Sequence, residues 1–197
     1  MNSKIQNDRY LPFILLPRAT AFTLIFSLIL WTAPVNAAMQ MFMIIDGVQG
    51  ESKDSTFPGS IETESIEWGV DRLVEGAGSG QQTSGDVNFG DLTVSKRVDT
   101  SSADLFFAAA TGQHYDDVTI ILRKSGEEEP PVEFFAFKLI DASVVSVYTA
   151  VSGDDTGVLE QVTFNYRKIQ TFYRPTDEGS KDEIKEFCYD IQANVDC

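Results

Sequence analysis

Histidine is almost missing from this chain, with His114 the only one in 197 residues. A lone imidazole just past a helix end reads as a hydrogen-bonded structural residue rather than a general base. No Ser-His-Asp set can be assembled around it, and the Gly-x-Ser-x-Gly elbow is absent. Cysteine is nearly as scarce: Cys188 and Cys197, both in the tail, do not combine with His114 into structural zinc spacing. They either pair, if the chain reaches an oxidising compartment, or stay as free thiols. Basic charge is short as well, 15 Lys and Arg against 30 Asp and Glu, a formal charge of −15. Such a surface repels phosphate backbones and anionic lipid, which removes nucleic acid from the expected partners. The longest apolar run, residues 21–31, falls short of the roughly 20 residues that a membrane-spanning helix needs. The Gly-rich stretch 76–85 lacks the lysine and the following helix of a phosphate cradle. Asp154 and Asp155 lack the spaced oxygen ligands of a calcium loop, so a solvated turn is the reading. No catalytic residue, metal or cofactor is expected, and no enzyme.

What the chain has is hydrophobic mass, 43% of residues with 11% aromatic, ample for a folded core. Residues 1–37 stand apart. Lys4, Arg9 and Arg18 precede the apolar run, and Ala33-Pro34-Val35-Asn36-Ala37 supplies small residues for cleavage after Ala37. That is the three-part layout of a secretory signal peptide, or else an extension ahead of a true start at Met39, Met41 or Met43. Its removal would leave 12 basic and 29 acidic residues, a formal charge of −17. The expected organisation is therefore a leader over 1–37, a β-domain over 38–175 and a charged tail over 176–197, able to add one short strand.

Within the β-domain one helix is expected, over about 101–112. Ser101 and Asp104 have capping-box spacing, and Gly112 fits a left-handed helix end. Leu105 to Ala110 is apolar all round, so the helix is expected between two surfaces, inside the subunit or between subunits. It is read as the plug around which a barrel or sandwich closes. Strands are expected over 41–48, 61–68, 92–98, 118–124, 132–140, 143–149 and 158–173. Trp68 is taken as a core anchor. In the last strand the apolar positions are even through Val162, Phe164 and Tyr166 and odd at Ile169 and Tyr173. That change of phase predicts a bulge or bend near Arg167-Lys168.

The order of motifs resembles the haemolysin-coregulated protein family (Hcp), the tube-building component of bacterial type VI secretion. The resemblance rests on Met41-Phe42 with Gly47-x-x-Gly50-Glu51-Ser52-Lys53-Asp54, then Trp68-Gly69, then Val87-x-x-x-Asp91-Leu92. It continues with Lys96-x-x-Asp99-x-Ser101-x-x-x-Leu105, Gly112-x-His114-Tyr115 and Ile121-x-Arg123-Lys124. It ends in Glu160-x-Val162-x-Phe164 and Ile169-x-x-x-Tyr173-x-Pro175. The matches are collinear across about 41–175. They imply a mainly β fold, a small barrel of two antiparallel sheets with one flanking helix.

The resemblance further implies a homo-hexameric ring, rings stacked into a hollow tube, effector cargo in its lumen, and sheath or spike components as partners. Subunit or ring contacts are expected at Gly50, Glu51, Ser52, Lys53, Asp54, Leu105 and Phe106. Gly76, Gly78 and Gly80 fall where relatives carry an extended loop reaching an adjacent ring. Trp68, His114 and Tyr173 are expected to be structural. The family is usually built without a signal peptide. A chain starting at Met39 or Met41 would act in the cytoplasm and leave by type VI secretion. A cleaved leader would instead place it in the periplasm or outside, with no membrane insertion after processing. A secreted or periplasmic β-sandwich binding module with no tube role is the alternative reading.

Overall fold

The structure is a computed structural model that describes residues 39–75, 83–125, 130–151, 157–175 and 183–197. The described strands are β1 (Met39–Ile45), β2 (Ile61–Glu67), β3 (Val70–Glu75), β4 (Thr83–Phe89) and β5 (Leu92–Arg97). After α1 (Ser101–Thr111) come β6 (His114–Lys124), β7 (Val132–Ala150), β8 (Leu159–Tyr173), β9 (Lys185–Asp190) and β10 (Val195–Asp196). Every ladder is antiparallel. The order β8-β5-β2-β1-β6-β7 closes on itself through β7 and β8, giving a six-stranded barrel. Closure removes the open sheet edges that would otherwise invite unwanted pairing. β9 and β10 extend the same sheet beyond β8, while β3 and β4 form a separate two-stranded ribbon.

Strand periodicity fills the barrel. Met43 and Ile45, Leu92 and Val94, Val118 and Ile120, and Val162 and Phe164 alternate inward along their strands and are buried. Each such Leu, Ile or Phe contributes about 1.5–3 kcal/mol by leaving water. Trp68, partly buried, packs edge-on to Phe137, ring centroids 5.8 Å apart, and donates from Nε1 to the Tyr166 hydroxyl at 2.5 Å. The Tyr166 hydroxyl donates in turn to the Gly90 carbonyl at 2.8 Å.

Three expectations change. The helix flanks the barrel instead of plugging it: Leu105 and Ala108 join the core, but Phe106 and Phe107 remain exposed. Its N-terminus is not a Ser101 capping box. The helix begins at Ser101, and the Asp99 carboxylate accepts from the Ser101 N–H at 2.9 Å. Gly112 does close the other end, at φ 69°. The strands expected over 132–140 and 143–149 are one continuous β7, because Asp141 takes φ 53° and lets the chain turn without leaving the ladder.

The same residue explains the phase change in β8. Leu139 and Ala142 on β7 switch parity together with Tyr166 and Ile169 on β8, and the register between them does not slip there. The change is therefore a bend shared by two strands. It falls where β8 exchanges its other neighbour, β5, for β9. The inserted residue lies elsewhere, in β7 between Val144 and Ser146.

Candidate functional site

Along β5 the inward positions are Leu92, Val94 and then Lys96, a lysine with no solvent exposure at all. Its ammonium is satisfied by oxygens only: Glu160 Oε2 at 3.0 Å, Asp99 Oδ1 at 2.8 Å, Ser102 Oγ at 3.1 Å and the Arg97 carbonyl at 2.7 Å. Ser102 Oγ donates to Glu160 Oε2 at 2.7 Å and accepts from the Asp99 N–H at 3.0 Å. Glu160 Oε1 has no partner among the described residues. A buried ion pair is costly to desolvate and rarely a net source of stability; what it fixes is geometry. Here it ties β5, β8 and the first turn of α1 to one another.

The Gly50–Asp54 turn docks on that first turn. Glu51 Oε1 accepts from the Thr100 N–H at 3.2 Å, and Thr100 Oγ1 donates to the Gln49 carbonyl at 3.1 Å. Gly50 lies so close to the 59–61 strand entry that a Cβ there would collide with the Ser60 carbonyl. Ser52 is buried, its N–H donating to the Ser60 carbonyl at 3.1 Å. At the far end of the turn, Asp54 meets the Arg123 guanidinium, which is buried and also donates to Gln40 Oε1 at 2.8 and 3.1 Å. Arg123 stands over Phe42 and Phe57, 4.9 and 5.5 Å from their ring centroids. The guanidinium beside Asp54 holds its carboxyl down at about 2. Of the turn, Glu51 and Lys53 are left facing solvent.

The structure thus brings the expected turn and helix together, but not every expected contact residue is available. Leu105 is wholly inside its own subunit, so the face that α1 offers outward is Phe106 and Phe107, the latter 63% exposed. Gly76, Gly78 and Gly80 lie outside the described residues. His114 is exposed, with Nδ1 2.9 Å from Asp141 Oδ1. Tyr173 is also exposed; it helps line an apolar cleft of about 250 Å³ with Phe134, Phe135, Phe172 and Ile184. Cys188 and Cys197 are joined by a disulfide.

The sequence reading missed Lys96, Glu160 and Arg123 as a working set. The available signal was parity: a lysine on the inward side of an apolar strand must find a buried acid. It also missed the exposed apolar side chains toward the end of β7, Val145 and Tyr148, the latter 71% exposed, with Val151 just past the strand at 76%. No group of three or more His, Cys, Asp and Glu side chains converges to hold a metal ion among the described residues. What the surface provides is a rigid polar collar beneath the helix and exposed apolar side chains on α1 and β7. Exposed apolar side chains are features for contact.

Comparison with known proteins agrees. The family described as type VI secretion system effector, Hcp, matches residues 42–173, from β1 to the end of β8. Protein hcp1 of Pseudomonas aeruginosa is 36% identical over 161 residues, covering 80% of this chain and 98% of that protein. A solved structure described as a type six secretion system protein shares the fold with a TM-score of 0.74 at 23% identity, covering 81% of this chain and 100% of its own. Hcp1 from Salmonella typhimurium does so with a TM-score of 0.64 at 24% identity, covering 81% and 99%. With the closed barrel, the flanking helix and these matches in one chain, the protein belongs to the haemolysin-coregulated protein (Hcp) family of type VI secretion.

Proposed function

We propose that this chain is a structural subunit that closes into hexameric rings, which stack into a hollow tube carrying effectors during type VI secretion. The observation that carries the reading is a pair of groups among the exposed apolar side chains, Phe106 and Phe107 on α1, and Val145 and Tyr148 on β7 with Val151 just past its end. Apolar surface of that kind is left over when a subunit is taken alone and marks a contact site. Two different patches meeting head to tail make a heterologous interface, which closes a ring when the rotation between copies closes. The Glu51 and Lys53 side of the 50–54 turn is assigned to ring or subunit contacts. The 76–80 glycines are assigned to the loop that reaches an adjacent ring. The subunit performs no catalysis in this reading; effector cargo and the sheath or spike are its partners. It is made in the cytoplasm and leaves the cell with the tube.

Light scattering of the purified protein tests the first step. Six-subunit particles at micromolar concentration are expected, and a species of one subunit's mass at every concentration would refute ring formation. The leader-like residues 1–37 and the Cys188–Cys197 bond favour a second reading, an exported protein in the periplasm or outside with no tube role. N-terminal sequencing separates the two. A periplasmic chain beginning at Ala38 supports export, and a cytosolic one beginning at Met39 or Met41 supports the tube.

A further inference from the structure

β9 and β10 lie outside the six strands that close the barrel. β9 pairs with β8 from Lys168 to Tyr173, and β10 folds back on it through two residue pairs, Val195 with Asp190 and Asp196 with Tyr189, and a long bond from the Cys197 N–H to the Cys188 carbonyl at 3.4 Å. A strand that short at a chain end frays unless something holds it. The holding bond is Cys188–Cys197, spanning nine positions with 5.2 Å between the Cα atoms. It sits across the open end of the hairpin, opposite the turn where the Ala193 N–H donates to Asp190 Oδ1 at 3.0 Å. Next to Cys188, Tyr189 stacks on Phe89, ring centroids 4.8 Å apart, and its hydroxyl donates to Asn194 Oδ1 at 2.8 Å. Phe89 is the last residue of β4. Among the described residues the β3–β4 ribbon makes no ladder with the barrel sheet, so the Tyr189 stack is one of the contacts that hold its base.

We propose that Cys188–Cys197 is a redox-operated clip. Closed, it holds β10 on β9 and, through Tyr189 and Phe89, restrains the β3–β4 ribbon. Open, it loosens both while the six-stranded barrel stays folded. Cys197 is the exposed residue and Cys188 the half-buried one, so a reducing thiolate attacks at Cys197 and Cys188 leaves as thiolate. Gln170 Nε2, 3.4 Å from Cys188 Sγ, donates to that leaving sulfur. A second thiolate then displaces Cys197 from the mixed disulfide. Two reductant thiols become one disulfide, and their two protons end on the cysteines. Closing runs in reverse with a low-molecular-weight disulfide such as glutathione disulfide, which is reduced to two thiols. A reducing cytoplasm therefore favours the open form and an oxidising exterior the closed one. Any effect on ring stacking rests on the tube reading above; the clip itself does not.

The test is amide hydrogen exchange of the purified protein, equilibrated in reduced or in oxidised glutathione. Protein concentration is set where light scattering gives one particle size in both buffers, so that failure to form rings leaves the readout intact. The oxidised sample is expected to weigh two hydrogen atoms less, without intermolecular crosslinks. Reduction is expected to speed exchange by about tenfold or more over 188–196 and 83–89, with β1, β5 and β6 unchanged. Cys188→Ser/Cys197→Ser should match the reduced protein in both buffers; if that variant does not fold, the wild-type comparison stands alone. Equal exchange in both buffers overturns the clip, as does a change confined to 188–196 that leaves 83–89 untouched. A protein that stays reduced in glutathione disulfide also overturns it.

Discussion

Lys96 Nζ lies 3.0 Å from Glu160 Oε2 inside the barrel, with neither side chain reaching solvent. The pair joins β5 to β8 and, through Ser102 and Asp99, fixes where α1 starts. Removing Lys96 leaves the Glu160 carboxylate buried without a counterion, whereas removing the Glu160 charge leaves Lys96 with Asp99 alone. Lys96→Met should cost about 3–5 kcal/mol in urea unfolding, and Glu160→Gln less, because Asp99 still faces the ammonium. Lys96→Met combined with Glu160→Gln should cost clearly less than the two single changes added together. Full additivity in the double-mutant cycle would mean that the pair does not act as a unit.

Asp54 gives a pH signature at the other end of the same collar. Its carboxyl is lowered from an ordinary 3.8 to about 2 by the Arg123 guanidinium and by the N–H groups of Thr56 and Phe57. A depressed folded value means stabilisation that is fully present above the unfolded value and lost as pH falls through the folded one. Wild type should lose stability relative to Asp54→Asn between about pH 4 and pH 2, with no such divergence at neutral pH. Thermal melts of both proteins across that range make the comparison.

Gly50 tests the turn itself. Because a Cβ would strike backbone at Ser60, Gly50→Ala must push two segments apart. A loss of about 1–3 kcal/mol is expected from such overpacking. Gly59→Ala, where only the Gln49 side chain lies near but φ is +73°, should cost less, about 1 kcal/mol from backbone strain alone. Denaturant titrations rank the two.

Tyr166 couples the ribbon base to the barrel through Trp68 and Gly90. Burial pushes its hydroxyl up to about 12, against the lowering effect of the Trp68 contact. Tyr166→Phe leaves an indole N–H and a carbonyl without their partner and should cost about 1–3 kcal/mol. In wild type, the stability tied to the neutral phenol should persist below pH 10 and fall as pH rises toward about 12. Ultraviolet titration of tyrosinate in the two proteins isolates that residue.

The exposed aromatics separate assembly from folding. Phe106→Ser/Phe107→Ser and Tyr148→Ser should leave the melting temperature within a few degrees, because these side chains lie outside the core. Both should reduce rings to smaller species in sedimentation velocity. Rings of unchanged size and stability in both variants would remove these patches from the interface.

How much of this was legible in the sequence follows from what each signal encodes. Period-2 alternation in β5 and β8 records a one-sided core, so those strands were readable, and Gly112 marked its left-handed helix end. Alternation carries no information about whether a strand continues through a residue such as Asp141, and β7 was split for that reason. The ribbon β3–β4 went unread because Val70, Val74 and Val87 are embedded among polar residues and glycines that signal a loop. The apolar run of α1 looked the same whether covered by its own barrel or by a neighbour; only the folded barrel separates Leu105, inside, from Phe107, outside. Lys96, Asp99 and Glu160 stood in the recognised motifs, but their meeting requires β5 and β8 to be adjacent. Adjacency of that kind is set by closure of the whole barrel and not by any local pattern.

Ring closure by identical copies is the claim on which the functional account stands, and electron-microscope imaging of the purified protein tests it most directly. Class averages at micromolar concentration should show six-fold rings with an open centre, some stacked end to end. Fields of single barrels, at every concentration and in both reduced and oxidised buffer, would contradict it.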